Sequence, residues 1–394
     1  MKYIFLISLF FLSLCSGESK KLIVKKPCSQ IGFSDDVDCN TKTLQALLNK
    51  GDTIDLTYYK KPIKVYTLKG NGGINALTIS KFTYLRVNAI QLIGTSDSIP
   101  FHLFHIKHGN FDVIIDGNLL PPLDASPKQP TYDYKFPNIL DTWTYNDTVS
   151  ANGYSRTITL KNSKNTKGYW CGIIKNTGGG FYKDSINWHT FRLENVEHIT
   201  RSGGIKMFSG NRPYSRVLLK NVRLKQIMKK GQKHHDHLGY IHENVTSHFD
   251  NVYLSGCHFD FRSTAKQSDT INAVHNFKNV IMEKPLSMQI KDGGSTRTNS
   301  HTYFENSYFS AGNVYGYLTL KNTDWWGNSW KQFTSLGGNT LSMSGYDLYS
   351  DNVDLTNDSI RYMSSFIYKA PDAIVKVNNG IKLPTVANGK MIKN

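Results

Sequence analysis

Eight times along the chain an apolar, strand-like run ends on the same residue, asparagine. It appears as TLKN at Asn162, RLENV at Asn195, LLKNV at Asn221, HFDNV at Asn251, NFKNV at Asn279, YFENS at Asn306, TLKNT at Asn322 and YSDNV at Asn352. The first six intervals are 33, 26, 30, 28, 27 and 16 residues. A beat of this length, with one strand and one turn per unit, marks a chain that stacks like units, because a single unit cannot bury its apolar side alone. Asn suits such a turn. Its short amide tolerates the left-handed conformation, and amides stacked in register bond along the column. A β-sandwich also supplies many short strands, but nothing in it calls for one residue type at the same phase so often.

The rest of the chain agrees with an all-β reading. Thr43–Lys50 has helical propensity and stops at Gly51, a good C-terminal cap. Asp52–Leu56 then reads as a strand, followed by short β patterns at Ile74–Ile79, Tyr84–Ile93, His102–Ile106 and Val113–Asp116, punctuated by Gly, Asn and Ser. The repeat, the opening CNTKTLQALLNKGDTIDL and VIIDGN at 113–118 resemble the right-handed parallel β-helix of the pectin-lyase-like superfamily, over about residues 38–370. The resemblance implies a single-stranded β-solenoid with a short N-terminal capping helix, and specifies no substrate. Two segments interrupt the beat: 119–156, with five prolines, and the basic stretch 228–237. Both read as inserted loops. Residues 360–394 read as the C-terminal cap.

Residues 1–17 carry Lys2, an apolar run from Tyr3 to Leu14 and a small-residue end, the pattern of a secretory signal peptide. This predicts a secreted chain with one domain over 18–394. Cys15 weakly resembles a lipoprotein cleavage site, a minority reading. No later segment is long and apolar enough for a transmembrane helix, so an integral membrane protein is not expected. Export makes Cys28 and Cys39, eleven residues apart in a polar stretch, candidates for a disulfide. Cys171 and Cys257 read as buried thiols. Asn146, Asn244 and Asn357 head glycosylation sequons.

A net charge of +17 points to an anionic partner. Export argues against nucleic acid, and an acidic polysaccharide remains, bound by what is expected to be a monomer. Aligning the units on their Asn places a further strand about eleven residues downstream of each. With Ile174, Ile205, Ile241, Phe261 and Ile290 turned inward, alternation turns Lys175, Lys206, His242, Arg262 and Lys291 outward. Tyr240, Asp260 and Gln289 flank them. Like charges stacked on neighbouring strands oppose folding, so a basic column at one phase is better explained by binding than by chance. A solvated lysine face is the plainer alternative. Trp170, Tyr182, Trp188, Trp325, Trp326 and Trp330 are candidates for stacking on sugar rings, and equally for core packing.

The superfamily resemblance implies polysaccharide lyases, glycoside hydrolases, epimerases and non-enzymatic adhesins. A uronate lyase must neutralise a carboxylate, abstract the adjacent proton and protonate the leaving oxygen. Arg262 or Lys291 suits the first role, Lys206 or His242 the second, and Tyr240 or His242 the third. Lys175, Asp260, Gln289 and Lys291 are then substrate-binding candidates. A hydrolase needs two carboxyl groups across the bond, and only Asp260 is placed on the strip by alternation. The hydrolase motifs NTD, DDG, GHG and RIK are absent as a set, with QIKDGG at 289–294 a fragmentary echo. A lyase is therefore the first reading, a hydrolase the second, and a non-catalytic glycan-binding protein the alternative from another class. No cofactor is expected: Ca²⁺ is the alternative, unsupported because the acidic residues are scattered, and His234, His235 and His237 could bind a metal but read rather as part of a basic loop.

Overall fold

The structure is a computed structural model. It describes residues 33–65, 75–79, 83–93, 102–106, 111–120, 138–141, 155–170, 172–176, 188–200, 205–207, 216–226, 238–241, 245–256, 258–263, 273–283, 287–292, 300–329, 332–343, 347–348, 353–363, 367–368, 375–378, 386–387 and 390–391.

One α-helix, Val37–Lys50, opens the described chain. Asp36 caps it by accepting a hydrogen bond from the Cys39 amide at 3.1 Å, which starts the helix before the Thr43 expected from propensity. Cys39, buried in the first turn, is disulfide-bonded. Cys28, the partner proposed from sequence, lies outside the described residues. Leu44 and Leu48, one turn apart, are fully buried against the first strands. Gln45 reaches across to Thr78, donating to its carbonyl at 2.9 Å and accepting from its amide at 2.8 Å. The helix thereby satisfies backbone groups of the strand Asn75–Ile79. Gly51, at φ 75°, ends it.

Nearly all else is parallel sheet, with 23 strands in the largest. A first row runs through Asp52–Asp55, Thr83–Val87 and Phe111–Asp116. It continues through the N-terminal halves of the long strands Ser155–Trp170, Trp188–Thr200, Arg216–Gln226, Thr246–Ser255 and Val274–Glu283, then through His301–Glu305, Tyr317–Lys321 and Gln332–Ser335. Each long strand bends at its Asn and continues into a shorter row. A further row holds Asn75–Ile79, His102–Ile106, Asn138–Asp141, Gly172–Asn176, Ile205–Met207, Gly239–Ile241, His258–Ser263, Ser287–Asp292 and the C-terminal part of Tyr308–Val314. Chain order alternates between rows, so a strand pairs with the next but one. Asn138–Asp141 lies inside the segment read from sequence as an inserted loop and supplies one strand of this row.

The Asn bends follow the left-handed geometry. Asn162, Asn195, Asn221, Asn251, Asn279, Asn306 and Asn322 have φ between 47° and 55°; Asn352 lies outside the described residues. Their amides bond in sequence, Asn195 to Asn162, Asn221 to Asn195 and Asn251 to Asn221, each at 2.9 Å. The column closes at Gly338, φ 72°, where a Cβ would lie 2.1 Å from Asn322 Oδ1. Immediately before the bends the register aligns Asp116, Lys161, Glu194, Lys220, Asp250, Lys278, Glu305 and Lys321. Charge alternates at every step, so opposite signs are cross-strand neighbours. Lys161 pairs with Asp116 at 2.9 Å and Lys321 with Glu305 at 3.0 Å.

The rows share one apolar core. In the first row Phe277 meets Phe249 edge to face at 5.0 Å and stacks on Phe304 at 4.7 Å between centroids. Phe249 meets Phe259 of the further row at 5.7 Å, and Phe304 meets Trp325 of the shorter row at 5.3 Å. Trp325 is fully buried against Phe309 at 4.3 Å and is a core residue. Trp326 is half-buried under the Arg361 guanidinium at 4.6 Å. For Trp170, Tyr182, Trp188 and Trp330 the side chains lie outside the described part.

Candidate functional site

The candidate strip belongs to the further row, and its composition follows from register. Ile174 pairs with Ile205 and Lys175 with Lys206, as the Asn alignment predicts. At the next step the structure differs. Ile205 pairs with Gly239 and Lys206 with Tyr240, whereas the alignment had opposed Ile205 to Ile241 and Lys206 to His242. The expected order returns below, where Tyr240, Asp260 and Gln289 align and Arg262 faces Lys291.

Gly239 is the physical reason. It takes the position opposite Ile205 but carries no side chain, and the ring of Phe259 from the next strand occupies the space. A Cβ on Gly239 would lie 2.3 Å from that ring. The unit therefore has two inward positions, Gly239 and Ile241, and reading the apolar Ile241 as the partner of Ile205 moves it two residues out of register. A single strip results: Lys175, Lys206, Tyr240, Asp260 and Gln289 on successive strands about 4.8 Å apart. Arg262 and Lys291 form a second pair two residues along. His242 lies outside the described residues.

The register also extends the strip to residues the sequence reading missed. Gln289 aligns with Asn313, and Asn313 with Asn328, whose Nδ2 donates to Asn313 Oδ1 at 3.0 Å. They escaped notice because the interval between bends shortens to 16 residues there, so counting eleven from the Asn overshoots. The strip thus passes from basic positions through Tyr240 and Asp260 to three amides.

Asp260 is the member whose surroundings are most informative. Its neighbours Phe259 and Phe261 are fully buried in the core, so alternation sends its carboxylate to the outward side. Its exposure there is only 1%. Burying a carboxyl group on the outer side of a sheet is costly unless it is paired, so this position is built rather than incidental. His258, two residues earlier on the same side, is half-buried. A strip of this composition can hold a carboxylate or sulfate at its basic positions, hydrogen-bond hydroxyls at the amides, and move a proton at Tyr240 or a lysine. Among the described residues no group of His, Cys, Asp and Glu has the arrangement of a metal site, and no helix is long and apolar enough to cross a membrane. His234, His235 and His237 lie outside the described residues. No protein-family model matches the chain, and the searches of curated proteins and of solved structures return no match.

Proposed function

We propose that the chain winds as a right-handed parallel β-helix and is a secreted polysaccharide lyase, cleaving an acidic, uronate-containing or sulfated polysaccharide by β-elimination along the strip from Lys175 to Asn328. The observation that carries this reading is the register that aligns Lys175, Lys206, Tyr240, Asp260 and Gln289 on consecutive strands, with Arg262 beside Lys291. Arg262 and Lys291 neutralise the uronate carboxylate and so acidify the adjacent C–H. Lys206, one strand from Lys175 in register, is the base that takes this proton. As the electron pair forms the new C=C bond, the glycosidic C–O bond breaks, and Tyr240, one strand away, delivers a proton to the leaving oxygen. Asp260 positions the strip, and Gln289, Asn313 and Asn328 bind hydroxyls. The mature chain acts as a monomer without a cofactor.

Incubation with polygalacturonate, alginate, glycosaminoglycans and sulfated algal glycans tests the proposal. Cleavage is expected to generate the ultraviolet absorbance of an unsaturated uronate, and Lys206→Ala and Tyr240→Phe are expected to remove it. New reducing ends without that absorbance identify a hydrolase and overturn the elimination. Retention of a glycan without cleavage identifies a binding protein.

A further inference from the structure

An open groove of about 530 Å³ runs along the Asn bends, apart from the strip. Its floor is the amides of Asn162, Asn195, Asn221, Asn251 and Asn279. Its lining adds the residues two positions after each Asn, Lys164, Glu197, Arg223, Tyr253 and Ile281. At the first three steps this lining carries Lys164, Glu197 and Arg223, each of the same sign as the residue just before its Asn, and Lys164 pairs with Glu197 at 2.8 Å. The charge is therefore banded, positive, negative, positive, at about 4.8 Å per strand. A polymer of one sign meets repulsion at every second band. A hydroxyl both accepts from a cation and donates to a carboxylate, so an uncharged polyol fits every band.

The lower end supplies an apolar platform. The Tyr253 ring lies under the Arg223 guanidinium at 4.7 Å, and its hydroxyl donates to Glu283, which holds the ring in place. Ile281, the next residue in register, is 46% exposed beside it. The amide ladder breaks at this same point. Asn279 Nδ2 donates to Asp250 Oδ1 at 3.2 Å instead of to Asn251, so the ladder places no donor on Asn251 Oδ1. An acceptor, a fixed ring and an exposed aliphatic side chain thus sit together, matching a sugar with hydroxyls at its edge and C–H groups on its face. We infer that this groove is a carbohydrate-binding site for uncharged glycans. It shares no residue with the Lys206–Asp260 strip and stands whether or not that strip is catalytic.

Calorimetric titration of the full chain with the neutral hexasaccharides of glucose, mannose, xylose and N-acetylglucosamine tests it. At least one is expected to bind, with affinity unchanged by high salt and by Lys206→Ala. Tyr253→Ala and, separately, Ile281→Asp are expected to weaken that binding at least about tenfold, or 1.4 kcal/mol. Circular dichroism identifies which variants keep the native strand signal, and the exposed Ile281 is the safer change. Absence of binding by all four sugars overturns the inference. So does unchanged affinity in a folded variant, or tighter binding of hexagalacturonate lost through the same two changes.

Discussion

Replacing Asn221 separates the two contributions assigned to the bend asparagines. Its Nδ2 donates to Asn195 and its Oδ1 accepts from Asn251, both at 2.9 Å, and its φ is 54°. Both bonds are exposed, so each contributes at the low end of the usual net range, about 0.5–1 kcal/mol. Holding alanine in the left-handed region costs about 1–2 kcal/mol more. Asn221→Ala should therefore lose about 2–4 kcal/mol. Asn221→Gly loses the same bonds without the strain, but its freer unfolded chain returns roughly 0.5–1 kcal/mol of the difference. The glycine variant should come out more stable than the alanine variant by about 0.5–1 kcal/mol. Denaturant unfolding measures this, provided the slopes are equal so that midpoints report stability. Equal losses, or alanine above glycine, would refute the backbone argument. Two variants as stable as the parent would refute the ladder.

Burial makes acid a second probe. His275, fully buried between Phe261 and Phe277, and His198, bonded to Ser163 Oγ at 2.8 Å, are both pushed by desolvation from 6.5 down to about 3. The unfolded chain then takes up protons that the folded chain does not, so stability is complete above pH 6.5 and falls as pH drops toward about 3. Each histidine contributes at most about 1.4 kcal/mol per pH unit. His275→Leu should flatten the decline measured by denaturant midpoint against pH; parallel profiles would contradict the assignment. Gly239→Ala drives a methyl group into the Phe259 ring and should cost about 1–3 kcal/mol, whereas wild-type stability would show that the ring moves freely aside.

What the sequence made legible was local. The need for a left-handed residue is written at each bend, so the seven described asparagines can be read one at a time. The helix body was readable from the propensity of Thr43–Lys50, but its start depended on Asp36, a cap upstream of that run. Asn138–Asp141 was hidden because NILD is four residues among prolines and becomes a strand only through its neighbours. The strip was legible in kind but not in register. Gly239 looks like a turn residue in its own segment, and only the Phe259 ring from the next strand makes it an inward position. The banded groove, by contrast, stands in the sequence as KNSK, ENVE and KNVR, and becomes meaningful once those segments lie side by side.

The pairing of base and acid in the elimination depends on Tyr240, rather than His242, facing Lys206. Paired cysteines test this directly, because directly opposed positions on neighbouring strands fall within the Cα separation a disulfide tolerates, about 4.4–6.8 Å. Under mild oxidation Lys206→Cys with Tyr240→Cys should cross-link readily, read as a mobility shift that a reductant reverses, while Lys206→Cys with His242→Cys should not. Cross-linking of the His242 pair in preference to the Tyr240 pair would return the register to the simple Asn alignment and contradict the site as described.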